Sequence, residues 1–235
     1  GSIASWEWEF GDGATGNTEN PSHLYPGDGS YPVNLTVVTA AGCRDSTTGT
    51  QVVYEKPVAS YTNSTECQND ATNFTDNSTA SVNITNWDWD FQNDNTVDNT
   101  NQNTSYTYPS FGTYQSELTI TDANGCENTA TVDLTANALP VVTASVDATD
   151  ICEGDSLVFT GGGADTYTWD MGVEDGIAFA PETTGTITYT VTGVDSNGCV
   201  NTATIDAAMH ELPIVTASAD QDSICFGESV ILTGD

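Results

Sequence analysis

Apolar residues recur at every second position along much of this chain. Tyr31, Val33, Leu35 and Val37 form one such run, Tyr114, Ser116, Leu118 and Ile120 a second, and Tyr189 and Val191 a third. A period of two marks a strand with one face buried, and the Thr, Val and Tyr that fill these runs suit a pleated, half-buried surface. Asn124-Gly125 and Asn197-Gly198 sit between alternating runs and predict hairpins, because both residues tolerate a left-handed backbone. No stretch sustains a 3.6-residue period with capping residues, so no helix is predicted. Short strands, frequent turns and units of about 75 to 85 residues predict an all-β chain of antiparallel β-sandwiches.

The pattern repeats. Ala40-Ala41-Gly42-Cys43, Ala123-Asn124-Gly125-Cys126 and Ser196-Asn197-Gly198-Cys199 are one motif, and Cys67, Cys152 and Cys225 follow nearly the same rhythm. Trp8, Trp89 and Trp169 recur in step, as do Pro57, Pro140 and Pro213. Self-similarity at a fixed period means an array of like units. The proline-containing joints divide the chain into domains at 1–56, 57–138, 139–211 and 212–235. Trp8 comes much sooner after residue 1 than Trp89 does after Pro57, so the first domain is expected to lack its opening residues and the last to be only a beginning. Joints this short, with β-branched neighbours around the proline, predict an extended array.

Composition narrows the function. Two Lys plus Arg against 34 Asp plus Glu give a formal net charge of −32 over 235 residues. Phosphate recognition needs cationic side chains, and only Arg44 and Lys56 exist, so nucleic acid is excluded as a partner, as is an anionic membrane surface. Divalent cations or neutral polysaccharide fit better. Hydrophobic content of 37% and aromatic content of 9%, in alternating runs, point to folding rather than disorder. No apolar run is long enough to span a bilayer. Six cysteines in register point to an oxidising compartment, and none are clustered as zinc ligands would be. The pairs expected within complete units are Cys67–Cys126 and Cys152–Cys199.

Trp8-Glu9-Phe10-Gly11-Asp12-Gly13, Asn20-Pro21-Ser22-His23-Leu24-Tyr25 and Gly29-Ser30-Tyr31-Pro32-Val33 together resemble the PKD (polycystic kidney disease) domain. The second unit is a looser match: it keeps Trp89-Asp90-Phe91, Tyr106-Thr107-Tyr108 and Gly112-Thr113-Tyr114, with Gln92-Asn93-Asp94 in place of Gly-Asp-Gly. The third, with Tyr167-Thr168-Trp169-Asp170 and Thr188-Tyr189-Thr190-Val191, resembles Ig-like repeats of giant surface proteins in gliding Bacteroidota. Arrays mixing both, with Asn-Gly-Cys at the last hairpin, look like type IX-secreted adhesins. That resemblance implies an extracellular, cell-surface stalk, with polysaccharide or surface ligands and the outer-membrane secretion and motility machinery as partners. An accessory spacer or carbohydrate-binding array of an extracellular polysaccharide- or protein-degrading enzyme is the alternative.

Candidate chemistry is sparse. Gly11-Asp12-Gly13-Ala14-Thr15-Gly16 has the spacing of a dinucleotide-binding turn, but no helix follows and Pro21 interrupts the chain. His23 and His210 are the only histidines. His23 is expected to pack and hydrogen-bond inside its sandwich and His210 to lie in a linker, so no triad is formed and no enzyme is expected. Trp6 and Trp87 are read as facing away from Trp8 and Trp89, which with Trp169 leaves candidate stacking platforms for a sugar. Asp90, Gln92, Asp94 and Asp98 offer oxygens at alternate positions, as at the start of a calcium loop, with Asn95 where glycine is usual. Calcium is the one cofactor this spacing suggests.

Overall fold

The computed structural model describes residues 2–235; Gly1, where the first expected domain begins, lies outside them. It is all-β, and it divides into two compact units, Gly1–Ala136 and Asn137–Asp235. The β-sandwich class read from the period-two runs is the observed one.

In the first unit, residues 3–53 form one antiparallel sheet from β1 (Ile3–Glu9), β2 (Thr15–Gly16), β3 (Gly29–Thr39) and β4 (Arg44–Val53), in the order β2-β1-β3-β4. Trp8 lies opposite Leu35 and Trp6 opposite Val37. Among the described residues this stretch forms no second sheet, and all four side chains stay only half-buried.

The rest of the unit carries both layers. Strands β5 (Tyr61–Asn63), β6 (Ala71–Asp76) and β8 (Thr104–Thr107) form one sheet. Strands β7 (Ile84–Asp90), β9 (Gly112–Asp122) and β10 (Glu127–Ala136) form the other. The pairs Trp89–Leu118 and Trp87–Ile120 reproduce Trp8–Leu35 and Trp6–Val37. Here, however, Tyr61 and Phe74 of the opposite sheet close over them, and Trp89, Leu118 and Ile120 become fully buried. Trp87 packs partly against this same core, which corrects the expectation that the two indoles face opposite ways. Residues two apart on a strand share a face. Tyr61 fixes the two sheets to each other by donating its hydroxyl to the Ser116 carbonyl at 2.7 Å, in a buried setting that pushes the phenol's pKa up.

The second unit begins with a sandwich of β11 (Thr143–Val146), β12 (Asp150–Cys152), β13 (Leu157–Gly162), β14 (Thr166–Trp169), β15 (Ala178–Phe179), β16 (Gly185–Val194) and β17 (Val200–His210). The sheets run β12-β17-β16-β14 and β11-β13-β15 around Phe159, Trp169, Tyr189 and Val191. One pairing departs from the antiparallel expectation: β12 runs parallel to β17, with Ile151 opposite Met209 and Cys152 opposite His210. His210 is therefore the last residue of a strand rather than part of a linker, and it bonds Asp150 at 3.0 Å. Residues 211–235 add one short pair, β18 (Ala217–Ala219) with β19 (Leu232–Gly234).

Candidate functional site

The residues with the richest chemistry follow the first tryptophan strand of each PKD-like domain. In the first domain, Phe10 directly follows β1 and the chain turns through Gly11 and Gly13, both at positive φ. Gly11 has no substitute here, because a Cβ at that position would lie 2.6 Å from the Pro32 carbonyl oxygen. The turn aims Asp12 back at the sheet. One carboxylate oxygen accepts the Ala14 amide at 3.0 Å and the other meets His23 Nε2 at 2.7 Å. The amide first, and the histidine second, hold the Asp12 carboxyl below its usual range. His23 stacks on Phe10 with ring centres 4.1 Å apart, Tyr25 meets its edge, and Tyr25 stacks on Tyr31. The histidine is thus a rung in a ladder of rings, oriented by a carboxylate.

The second domain keeps the ladder and changes the rungs. Phe91 stacks on Tyr106 at 4.6 Å, and Tyr108 follows against Tyr114 at 4.2 Å. Tyr106 stands where His23 does, and Gln92 donates to its hydroxyl. Burial pushes the Tyr108 hydroxyl well above its usual range, and that hydroxyl donates to the Phe91 carbonyl. Within the loop, Asp90 is 7% exposed and accepts three backbone amides: Gln92 at 3.2 Å, Asp94 at 3.1 Å and Asn95 at 2.7 Å. Asp98 accepts the Phe91 amide and Asp94 the Thr96 amide. The oxygens of Asp90, Asp94 and Asp98 thus accept the loop's own amides, and Gln92 points its amide nitrogen at Tyr106. Among the described residues no group of three His, Cys, Asp or Glu side chains is placed to hold a metal ion. Asn93 and Asn95 adopt positive φ, the role that Gly11 and Gly13 play in the first domain.

Trp169, Trp89 and Trp87 each engage the ring N–H within their own domain. Trp169 is 6% exposed and donates its ring N–H to Asp175 at 2.9 Å, so it offers no sugar platform. Trp89 donates to the Asn101 carbonyl and Trp87 to Asp76. Burial would raise the Asp76 carboxyl, but hydrogen bonds from Ser78, Gln102 and Trp87 outweigh it and hold the pKa below the usual value.

The cysteines correct the expected pairing. Cys43, Cys126, Cys152 and Cys225 carry free thiols, whereas Cys67 and Cys199 are disulfide-bonded. The pairs Cys67–Cys126 and Cys152–Cys199 are therefore not formed. Cys67 lies beside the start of β9, since its neighbour Gln68 accepts the Phe111 amide and Asn69 donates to Tyr108. Cys126 follows the far end of that 11-residue strand, about 35 Å away at the rise of an extended chain. Cys152 lies opposite His210, and Cys199 directly precedes the start of the 11-residue β17, again at the opposite end. A disulfide spans Cα atoms less than about 7 Å apart. Repeat spacing reveals which cysteines are equivalent, but not which end of a sandwich each occupies.

One local signal was missed in the sequence. Cys67, Cys152 and Cys225 each open a four-residue turn in which Asp70, Asp155 or Glu228 donates its amide back to the cysteine carbonyl. The third residue of each turn, Asn69, Gly154 or Gly227, has positive φ. The pattern Cys-x-[Asn/Gly]-[Asp/Glu] is readable once it is looked for.

Two stacked antiparallel sheets closed around a tryptophan strand define a chain of tandem β-sandwich domains. The PKD domain family matches residues 1–53 and 54–136, more than half of the chain, and the chain belongs to that family. It is 40% identical over 53 residues to a microbial collagenase of Vibrio alginolyticus, a match covering 23% of this chain and 6% of the collagenase. It is 45% identical over 42 residues to collagenase ColA of Bacillus cereus, covering 18% and 4%. The chain thus spans a small fraction of these relatives' length. The crystal structure of the PKD1 domain of Vibrio anguillarum Epp aligns at 24% identity over 37% of this chain and 99% of that one, with a TM-score of 0.33.

Proposed function

We propose that residues 1–235 are a non-catalytic structural and adhesive stretch of a secreted cell-surface adhesin that serves surface attachment and gliding motility. The observation that carries this reading is how the reactive side chains are used. His23 and Asp12 engage each other and Phe10, Asp90 caps three amides, and Trp89 and Trp169 fill cores. Such side chains stiffen a sandwich and leave none poised against a substrate. A formal charge of −32 supports a solvated, self-repelling array. The partners in this reading are extracellular polysaccharide or other surface ligands and the outer-membrane machinery that exports and moves the protein.

A second reading has a specific observation in its favour. The local identity to collagenases suits an accessory spacer or binding array of an extracellular degradative enzyme. In-frame deletion of this stretch from its natural gene separates the two. The adhesin reading expects loss of surface attachment and spreading with secreted hydrolysis unchanged. Loss of activity on insoluble collagen or polysaccharide, with soluble substrates still cleaved and attachment intact, would overturn it.

A further inference from the structure

The second and third domains differ at one equivalent place. Phe74 and Phe159 fill the two cores, and two residues further along the same strands stand Asp76 and Gly161. Trp89 and Trp169 correspond in the same way, and two residues before them stand Trp87 and Tyr167. In the third domain the ring closes on the glycine. A Cβ at Gly161 would run into the Tyr167 ring, and the Tyr167 hydroxyl accepts the Ala164 amide at 2.8 Å and donates to the Ala164 carbonyl. That place is sealed.

In the second domain it is open. Asp76 carries a side chain where Gly161 has none, and the indole meets it by its edge, Trp87 Nε1 donating to Oδ2 at 2.8 Å. The Gln102 amide nitrogen donates to the same oxygen at 3.1 Å, and the Ser78 amide to Oδ1 at 2.9 Å. Trp87 is half-buried: it packs partly on the core and also borders a groove of about 540 Å³. That volume lies within the ~300–1,000 Å³ usual for ligand clefts. Thr79, Asn83 and Gln102, all exposed, line the groove as well. Asp76 thus fixes both the indole and the Gln102 carboxamide, and the Gln102 carbonyl oxygen remains available. The Thr79 hydroxyl and the Asn83 carboxamide make no hydrogen bond among the described residues.

We propose that this groove is a subsite for a neutral polysaccharide, with a pyranose ring lying on the Trp87 indole and its hydroxyls bonded by Gln102, Asn83 and Thr79. The C–H face of a sugar is apolar and suits an aromatic ring, while a carboxamide offers a donor and an acceptor to neighbouring hydroxyls. Asp76, the one charged residue lining the groove, titrates below its usual value and is ionised at neutral pH. With a formal charge of −32 on the chain, it turns away anionic sugars. The inference rests on the reading of extracellular polysaccharide as a partner, and it gives that partner a site.

The test uses the whole chain with 15N-labelled indoles, so that each of the five tryptophans gives one ring N–H signal, and Trp87→Phe identifies its own. Cellotetraose, laminaritetraose, mannotetraose and N-acetylchitotetraose are the neutral probes and tetragalacturonate the charged one. Each is titrated to ~10 mM, enough to reveal a Kd of ~1 mM. The expected result is that a neutral probe shifts the Trp87 signal while those of the buried Trp89 and Trp169 stay fixed. Asn83→Ala combined with Gln102→Ala, both at exposed positions, should weaken that binding about tenfold and leave the melting temperature unchanged. A Trp87 signal that no neutral probe moves would overturn the proposal, as would one that tetragalacturonate moves equally, or a double variant that binds as the parent does. A silent groove in a chain whose deletion abolishes surface attachment overturns this inference alone. A sugar-binding groove in a chain whose deletion leaves attachment intact overturns the adhesin reading alone.

Discussion

Replacing Asp90 by asparagine separates a self-capped loop from an ion-binding one. Asp90 is 7% exposed, and its carboxylate receives three amides, two on one oxygen and one, from Asn95 at 2.7 Å, on the other. An asparagine can keep the Gln92 and Asp94 bonds through its carbonyl. Its amide nitrogen then faces the Asn95 N–H, donor against donor. Turning the side chain over strands the other two amides instead. The least damaging arrangement still leaves one buried amide unsatisfied and replaces charge-assisted bonds by neutral ones, a loss of about 2 kcal/mol. For a domain of this size that lowers the melting temperature by roughly 10 °C. Asp90→Ala removes both acceptor oxygens, strands all three amides and should cost more.

The assay is calorimetric melting of the whole chain, in millimolar calcium and in chelator. The capped loop predicts the same drop in both, and a parent transition that calcium leaves unchanged, because the oxygens at Asp90, Asp94 and Asp98 already accept amides. A variant melting within about 2 °C of the parent in chelator would refute the capping argument. A calcium-dependent rise in the parent, lost in the variant, would place an ion among those oxygens instead.

Two further outcomes follow from the geometry. The Asp76 carboxyl titrates below its ordinary value, so its stabilising contribution is complete above the unfolded value of 3.8 and lost as pH falls through the folded one; Asp76→Asn should flatten the acid limb of a stability–pH curve below about pH 4, and an unchanged limb would count against the hydrogen bonds from Ser78, Gln102 and Trp87. Gly11→Ala places a Cβ 2.6 Å from the Pro32 carbonyl oxygen at φ +88 and should destabilise residues 1–53 by about 2 kcal/mol in urea unfolding, with a change under about 0.5 kcal/mol refuting the close approach.

Much of the fold was legible because its signals are local. Trp8-Glu9-Phe10 and Trp89-Asp90-Phe91 each encode a strand and its turn within a few residues, and the alternation of Leu118 and Ile120 encodes the buried face. What escaped depends on three-dimensional placement. The parallel pairing of Asp150–Cys152 with β17 involves three residues, too few for a period to register. The cysteine pairing failed for a different reason: equal spacing identifies equivalent positions, and the 11-residue strands between the two cysteines of a unit carry them to opposite ends. The calcium-loop spacing read at Asp90 to Asp98 is also the spacing that caps a tight turn, since both uses need oxygens converging from alternate residues.

The two PKD domains show which feature of the site is preserved when its residues change. In the first, Asp12 does two jobs, capping Ala14 and orienting His23 against Phe10. In the second, the jobs are divided. Asp90 takes the capping, and Gln92 reaches the hydroxyl of Tyr106, which replaces His23 on the face of Phe91. An imidazole and a phenol share no acid–base chemistry near neutrality, so a catalytic or metal-binding role would not survive that exchange. What survives is a flat ring 4 to 5 Å from a phenylalanine, held by a polar side chain from the turn. Aromatic pairs of this kind contribute about 1 kcal/mol beyond the area they bury, and they continue through Tyr25 and Tyr31 in one domain and Tyr108 and Tyr114 in the other. The conserved quantity is the stacking itself, which ties the turn to the long strand behind it.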